Sequence, residues 1–582
     1  MKVLLVAVNA KYIHSNLAVY DLKAYTENIP VEVELAEYTI NQQQEEILRD
    51  IYEHKADVVA FSCYIWNITY VKALAEELHK IAPQVQIWFG GPEASYDAKQ
   101  LLRELSYVEL VIVGEGEETF AQLLQKHLLD GERLENIVGI CYRENTGEIC
   151  DNGIREYLPM DKIPFVYHNL DRFAHKILYY ETSRGCPFRC SYCLSSIDKR
   201  VRLRSLSLVF PELQFFLDNK VDQVKFVDRT FNCNHEHAYE IWKYLLEHDN
   251  GITNFHFEIS SDLLGEEELE LFAKMRPGLI QLEIGVQSTN GETVDAIHRH
   301  MDLDKLFHYV DSVHELGNIH QHLDLIAGLP YENYERFGCS FDDLYAHEPD
   351  QLQLGFLKVL KGTMMEEEVK KYSILYRNQP PYEVLGTKWL SYDEIILLKG
   401  VEELVELYYN SGQYTLTLKY AVPFFESPFR FYEMFSAWYR GKGYHKLNHN
   451  RLEKYNILRE FLREHIDENE WDTLDEIMLY DMYLRENVKG RPAWAKDTAQ
   501  YKKEWKALYR EQGEKLFPED VQAGIYDSKR AANQSHIEVF EINIKKFEQS
   551  GQVEKKQVFC LFDYSRRNPL NRAARTVEWE IL

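Results

Sequence analysis

Short apolar and β-branched runs alternate with helical patterns over the first 360 residues of this 582-residue chain. Alternation of this kind predicts parallel strands joined by helices, with the functional groups at the carboxyl ends of the strands. The strands fall into two groups along the chain. The predicted strands of the first group are Lys2–Val8, Val31–Ala36, Asp57–Ser62, Gln86–Phe89 and Glu109–Val113, and those of the second are Ile177–Thr182, Gln223–Val227, Asn254–Ile259, Leu279–Val286, His320–Ala327 and Gln351–Leu357.

The two groups predict two α/β domains. Residues 1–135 are expected to form a doubly wound, flavodoxin-like sheet, and residues 171–365 a partial (β/α)6 barrel. Residues 136–170 are predicted to be a hairpin linker between them. Residues 366–582 are rich in aromatic side chains at helical spacing, which predicts a mostly helical C-terminal domain that ends in a few strands. Aromatic residues at that spacing indicate a core more often than a substrate pocket.

Three cysteines directly follow the first strand of the second group. Cys186, Cys190 and Cys193 form a CxxxCxxC pattern in one short loop. A structural zinc site would need a fourth Cys or His at similar spacing, and the next cysteine, Cys233, lies forty residues further on. A four-iron cluster normally takes four cysteine ligands, so a compact trio leaves one iron open. The spacing therefore predicts a 4Fe-4S cluster that can bind a small molecule.

This loop, together with the strand ends that follow it, resembles the radical S-adenosylmethionine (SAM) superfamily. The resemblance implies that SAM chelates the open iron, and Tyr192 also fits the pattern of the loop. It further implies that Asp228 faces the SAM amino group and that Glu258 and Gln287 face the ribose or methionine part. For any one of these acids, a salt bridge at a strand end is an alternative that the sequence leaves open.

Small and polar residues also end the strands of the first group, in the segments that begin at Ser62, Gly90-Gly91 and Gly114-Glu115. Because these segments precede the cysteine loop, residues 1 to about 360 resemble B12-dependent radical SAM proteins. The resemblance implies that cobalamin binds at Ser62, Gly90, Gly91, Gly114 and Glu115. The chain has no Asp-x-His-x-x-Gly pattern and His14 lacks its spacing, so we expect cobalt without a histidine ligand. A degenerate domain that has lost cobalamin is the alternative.

The charge balance limits the partners of the chain. Sixty-six basic and 94 acidic side chains give a net charge of −28, which disfavours nucleic acid as a substrate. No apolar run is long enough to cross a membrane, and the N-terminus begins a strand. We expect a cytoplasmic protein with a small-molecule or peptide substrate. An external electron donor such as flavodoxin or ferredoxin is also expected.

The resemblance implies a reaction as well. Reductive cleavage of SAM at the cluster would give a 5′-deoxyadenosyl radical, and cobalamin would supply a methyl group to an unactivated carbon of the substrate. One alternative is rearrangement, cyclisation or oxidation with the same cofactors and no methyl transfer. A second is an RNA methylthiotransferase, which would need another cysteine trio where Cys63 stands alone. A third is a non-catalytic cobalamin or redox sensor.

Overall fold

In a computed structural model of the protein, residues 1–144, 146–488, 490–511 and 513–580 are described. The chain folds into two compact units. The first unit comprises Met1–Ile319, Gly328–Asn333 and Gly355–Ser391. The second comprises His320–Ala327, Tyr334–Leu354 and the chain from Tyr392 onward. Within the described residues, no helix is both long and apolar enough to span a bilayer.

The first unit begins with a sheet in the order β2-β1-β3-β4-β5-β6-β7. The first five strands of this order are parallel, as predicted for a flavodoxin-like sheet. Its strands are β1 Lys2–Asn9, β2 Glu32–Thr39, β3 Val58–Ser62, β4 Gln86–Gly90, β5 Leu110–Ile112, β6 Ile140–Arg143 and β7 Ile149–Asp151. Its helices are Leu17–Tyr25, Gln44–Glu53, Ile68–Ile81, Pro92–Ser95, Ala98–Glu104 and Glu117–Gln122.

Two apolar clusters bury this sheet from both sides. Leu4, Val6 and Val8 of β1 belong to one cluster, and Val3 and Leu5 belong to the other. A strand that is buried on both faces reads as a continuous apolar run, which is why the sequence indicates β1 so clearly.

Two antiparallel strands lie at the far edge of the sheet. β6 pairs with β5, and β7 pairs with β6. Both strands fall inside residues 136–170, which the sequence analysis predicted to be a linker. Ile140 and Tyr142 are buried against the sheet core, so the hairpin that was predicted as a linker also extends the sheet.

The cysteine loop follows β8, the first strand of a second parallel sheet. Within the first unit the strand order is β8-β11-β12-β13, and a short antiparallel pair, β9 and β10, lies beside the loop. The strands are β8 Leu178–Tyr180, β9 Ser183–Arg184, β10 Arg202–Leu203, β11 Gln223–Phe226, β12 Asn254–Ile259 and β13 Ile280–Gln287. The helices are Leu206–Asp218, His235–Glu247, Glu266–Phe272, Gly291–Ala296 and Leu303–Leu316.

A late segment, Gly355–Ser391, also belongs to the first unit. The hydroxyl of Tyr382 donates to the buried Glu93 carboxylate (2.8 Å), which lies directly after β4. The backbone N–H of Met365 donates to the carbonyl of Ser191 (2.8 Å) inside the cysteine loop. This late segment therefore contacts both the N-terminal sheet and the cysteine loop of the first unit.

The second unit is mostly helical, as predicted. It contains β14 His320–Ala327, most of β15 Gln351–Phe356 and a three-stranded antiparallel sheet of Ser535–Ile542, Lys555–Arg567 and Ala574–Glu580. Its longer helices are Tyr334–Tyr345, Tyr392–Leu404, Pro428–Gly441, Arg451–His465 and Trp471–Arg485. Tyr408, Tyr414, Phe435, Tyr455 and Phe461 are buried, so the aromatic residues form a core in this unit.

Candidate functional site

A cavity of about 770 Å³ lies in the first unit, at the carboxyl ends of β3, β4 and β5. The residues predicted to contact cobalamin all line it, namely Ser62, Gly90, Gly91, Gly114 and Glu115. Residues that flank the cysteine loop line it too, including Arg184, Gly185, Leu194 and Ser195. One cavity therefore joins the two regions that the sequence analysis treated separately.

The glycines after β4 have different structural roles. Gly91 has φ +95°, and a Cβ there would lie 2.6 Å from the carbonyl oxygen of Cys63, so the backbone requires glycine at this position. A Cβ on Gly90 would have its nearest neighbour, the Cβ of Ile112, at 3.7 Å. Of these two glycines, only Gly90 can take a side chain without displacing backbone. Gly90 lines the cavity.

Two aromatic rings after β3 form a further part of the wall. Tyr64 and Trp66 stack with ring centroids 4.4 Å apart and planes within 8°, and both line the cavity. The side chain of Asn67 orders this turn by donating to the carbonyls of Ser62 and Val8, each at 2.9 Å. A flat aromatic surface suits a large planar ligand. Sequence reasoning missed these residues, although an aromatic pair directly after a buried strand was a usable signal.

Charged residues connect the cavity wall to the cysteine loop. Arg184, two residues before Cys186, pairs with Glu117 (2.7 Å) and Glu181 (2.8 Å). Burial raises the pKa of Glu117, but Arg184 outweighs this effect and holds that pKa below its usual range. Glu115, predicted to contact cobalamin, pairs with Arg202. These ion pairs fix the start of the loop against the N-terminal sheet.

Backbone hydrogen bonds hold the cysteine loop itself. The N–H of Cys186 donates to the carbonyl of Asp198 (3.0 Å), and the N–H of Ser191 donates to the carbonyl of Ile297 (2.9 Å). Gly185 has φ +90°, and a Cβ there would overlap the carbonyl of Arg200. The loop is thus packed between two other segments of the first unit.

The three cysteines suit a cluster better than a single metal ion. Cys186 and Cys190 are buried, Cys193 is partly exposed, and all three are free thiols. In the described part of the chain, no three His, Cys, Asp or Glu side chains converge closely enough to hold one ion. A cluster binds each cysteine at a different iron, so its ligands need not converge on one point.

Asp228 is buried at the end of β11, at 1% exposure. Its carboxylate accepts hydrogen bonds from the N–H of Thr182 (3.0 Å), the hydroxyl of Thr182 (2.7 Å) and the hydroxyl of Ser183 (2.6 Å). Burial raises the pKa of Asp228 to about 6, although these hydrogen bonds lower it. These contacts orient the residues just before the cysteine loop. That Asp228 faces the SAM amino group stays a prediction.

Glu258 and Gln287 have unmet hydrogen-bonding capacity. The nearest cations to the Glu258 carboxylate are Lys225 (3.9 Å) and Arg229 (4.0 Å), and burial raises its pKa. Gln287 has φ +73°, and its buried side-chain oxygen has no hydrogen-bond partner among the described residues. A buried polar atom normally has a partner, so the Gln287 oxygen fits a ligand with hydroxyl or amino groups, as SAM has, whereas the Glu258 carboxylate is partly exposed.

Tyr192, the remaining predicted contact, lies within the loop between Cys190 and Cys193. Burial raises the pKa of its hydroxyl far above the usual range, while nearby Arg299 lowers it. Its direct contact with SAM stays a prediction. Arg299 was not predicted from the sequence, because it follows no strand end and belongs to no recognised spacing.

Three family models match successive parts of the chain. Residues 3–124 match the B12 binding domain, residues 180–344 match the radical SAM superfamily, and residues 370–562 match a protein family of unknown function, DUF4080. The chain is 25% identical over 332 residues to an uncharacterized methyltransferase of Pyrococcus horikoshii, covering 55% of this chain and 71% of that protein.

A second relative is the cobalamin-dependent radical SAM methyltransferase TokK of Streptomyces tokunonensis, 23% identical over 349 residues. That match covers 55% of this chain and 49% of TokK, so the chain spans about half the length of that relative. The solved structure of the cobalamin-dependent SAM radical enzyme OxsB, with aqua-cobalamin and SAM bound, aligns with a TM-score of 0.58 at 16% identity. That alignment covers 90% of this chain and 81% of OxsB, and it shows the fold.

The fold and the cysteine loop define a radical SAM enzyme. The chain combines an N-terminal B12-binding domain, a radical SAM domain and an additional C-terminal domain. Its cofactors are a 4Fe-4S cluster, SAM and cobalamin.

Proposed function

We propose that this protein is a cobalamin-dependent methyltransferase that methylates an unactivated carbon of a small molecule or peptide. The observation that carries the proposal is the shared cavity, which the ends of β3, β4 and β5 and the flanks of the cysteine loop line together. Cobalamin bound there would lie beside SAM, as transfer between the two requires. The relatives named as methyltransferases support the same reaction.

The cofactors supply the radical and methyl-transfer chemistry when bound, and the protein places them and excludes water. Cys186, Cys190 and Cys193 would hold the cluster. Tyr192, Asp228, Glu258 and Gln287 would contact or orient SAM. The residues proposed for cobalamin are Ser62, Gly90, Gly91, Gly114 and Glu115, which line the cavity.

Five of these residues are supported by a specific property. Glu258 and Gln287 offer acceptors that no described hydrogen bond satisfies. Gly90 lines the cavity, where an added Cβ would make only an ordinary contact with Ile112 (3.7 Å), and Glu115 is held by Arg202. Asp228 would act by orienting Thr182 and Ser183 at the start of the loop, because its hydrogen bonds go to those residues.

We also propose that an acidic one-electron carrier such as flavodoxin or ferredoxin supplies the electron. Arg189, Lys199 and Arg200 are exposed in or beside the cysteine loop, although the chain as a whole carries a net charge of −28. A local basic surface would attract an acidic carrier to the cluster. The nine cysteines are free thiols, which suits a reducing, cytoplasmic setting.

The test is anaerobic reconstitution of the full chain with iron, sulfide and cobalamin, followed by incubation with SAM and a strong reductant. Release of 5′-deoxyadenosine and of S-adenosylhomocysteine is expected, because the proposed reaction uses SAM both as radical source and as methyl source. Release of 5′-deoxyadenosine alone would contradict methyl transfer and favour rearrangement, cyclisation or oxidation. Release of neither would favour a sensor.

A further inference from the structure

Arg299 lies directly behind the cysteine loop. One terminal nitrogen of its guanidinium, Nη1, donates to the sulfur of Cys190 (3.7 Å), and Nη2 donates to the carbonyl of Gly285. Its Nε is fully buried and has no acceptor among the described residues. The Nη1 donor of Arg299 thus contacts a predicted cluster ligand, and the Nε donor of the same guanidinium has no acceptor among the described residues.

The backbone around Arg299 is fixed in that position. The carbonyl of Ile297 accepts from the N–H of Ser191 (2.9 Å) inside the loop, and the N–H of Arg299 donates to the carbonyl of Val294 (3.0 Å). The backbone next to Arg299 is therefore held against the cysteine loop, and the hydrogen bond to the carbonyl of Gly285 holds the guanidinium.

Arg299 differs from the other buried arginines near the loop in its charge partners. Arg184, Arg202 and Arg204 each pair with a carboxylate. Within the described residues, no carboxylate lies at ion-pair distance from Arg299. A buried cation without a counter-charge is costly. The anionic group that faces it is the cysteine trio, which becomes thiolate when it binds iron.

We propose that Arg299 supplies the counter-charge of the cluster and raises its reduction potential through the positive charge that its guanidinium places at the sulfur of Cys190. This proposal rests on the proposed function only in so far as the cysteines hold the cluster. Cluster potentials depend on net charge, on hydrogen bonds to sulfur and on exposure. Reduction adds one electron from the external donor, and a cation at a ligand sulfur favours the more negative, reduced state. Arg299 is thus a positioning residue for the reductive step.

The experiment measures the midpoint potential of the cluster by electron paramagnetic resonance during a redox titration of the reconstituted full chain without SAM. In Arg299→Met, the ratio of reduced to oxidised cluster at a fixed potential should fall about tenfold, which corresponds to about 59 mV for one electron. Arg299→Lys should recover most of that shift, because it restores the charge. A role confined to folding would change the amount of cluster and leave its potential unaltered.

Arg276 provides a matched control. Its guanidinium pairs with Asp249 (2.8 Å) and donates to the carbonyl of Thr253 (2.6 Å), before the amino end of β13. Arg276→Met removes a partly buried arginine of the same unit and should leave the potential unchanged. An unchanged potential in Arg299→Met with full iron content overturns the proposal.

If Arg299→Met fails to assemble a cluster, Arg299→Gln takes its place, since it keeps hydrogen-bond donors and removes the charge. An unchanged potential in that variant also overturns the proposal. Neither cobalamin nor substrate is present in this titration. A shifted potential in a protein that transfers no methyl group would therefore refute the methyltransferase assignment and leave the role of Arg299 intact.

Discussion

Asp228 in the first unit and Asp481 in the second are alike in their local chemistry. Each is buried at 1% exposure, and burial raises the pKa of each to about 6. Each accepts from both the backbone N–H and the hydroxyl of one threonine, Thr182 for Asp228 and Thr417 for Asp481. A buried carboxylate with a raised pKa is often taken as a sign of function.

Their surroundings differ. The contacts of Asp481 cap the start of the helix Thr415–Ala421, so they satisfy backbone groups that every helix leaves open. The contacts of Asp228 orient the segment that leads to the cysteines, and its neighbours Val227 and Arg229 line the cavity. The comparison teaches that the segment a buried carboxylate orients, rather than its burial or raised pKa, distinguishes a candidate site from a structural carboxylate.

The largest expected effect comes from replacing one cysteine in each unit and comparing the two variants. Cys190→Ala should abolish cluster assembly and SAM cleavage, because a cluster already short of one cysteine ligand loses a second. Cys560→Ala, in a buried strand of the second unit, should retain both. Iron content and 5′-deoxyadenosine release measure the two outcomes. Full iron content in Cys190→Ala would remove the basis for treating the first unit as the site.

The next effect concerns the cavity. Gly90→Leu should weaken retention of cobalamin about tenfold or more, because the leucine side chain enters the cavity. A tenfold loss of affinity corresponds to about 1.4 kcal/mol. Gly441→Leu, at a helix end of the second unit with no atom within 4 Å of an added Cβ, is the control. Cobalamin retained through gel filtration is the measurement. Gly91→Leu is unsuitable, because its Cβ would displace the carbonyl of Cys63.

Exchange of each aspartate for asparagine tests the comparison directly. Asp228→Asn should lower SAM cleavage about tenfold, because a hydrogen bond to a charged group contributes about 1.5–3 kcal/mol and an amide cannot accept at both positions. Asp481→Asn should leave cleavage unchanged and lower only the free energy of unfolding. Equal losses of cleavage in the two variants would show that the distinction between the two carboxylates is wrong.

The smallest effect is a slope of stability with pH. The pKa of Asp481 is higher in the folded state, about 6, than its unperturbed value of 3.8. The folded state therefore binds more protons between these values, and stability falls as the pH rises from about 4 to about 6. The change is at most about 3 kcal/mol, since one pKa unit corresponds to about 1.4 kcal/mol.

Asp481→Asn removes this titrating group. The difference in unfolding free energy between wild type and variant should therefore shift in favour of the variant as the pH rises from 4 to 7, in urea melts at each pH. A constant difference would mean that folding does not change the pKa of Asp481.

The sequence was sufficient to predict elements that have a strong periodic signal. The buried strands β1, β3 and β4 read as apolar runs, and the cysteine spacing identified the loop before its surroundings were known. The segment of β6 and β7 was predicted as a hairpin linker, but the pairing of β6 with β5 was not predicted. Short antiparallel edge strands carry little periodicity, so their pairing depends on the neighbouring strand and not on their own residues.

Contacts between distant residues could not be read from the sequence. Arg299 lies 109 residues from Cys190, and its approach depends on the path of the chain after β13. The same holds for Arg184 and Glu117, whose pairing joins the two α/β regions. Glu115 was singled out for its position at a strand end, but its pairing with Arg202 was visible only in the structure.

The late segment Gly355–Ser391 has a consequence for how the protein is made. Chains emerge from the ribosome N-terminus first, at about 5–20 residues per second, and domains tend to fold as they emerge. Tyr382 and Met365 contact Glu93 and the cysteine loop, so the first unit lacks these contacts until residue 391 has been synthesised. The N-terminal sheet is therefore complete as a chain more than two hundred residues before the segment that contacts Glu93. The last contacts of the first unit form late in synthesis, after its two sheets have emerged.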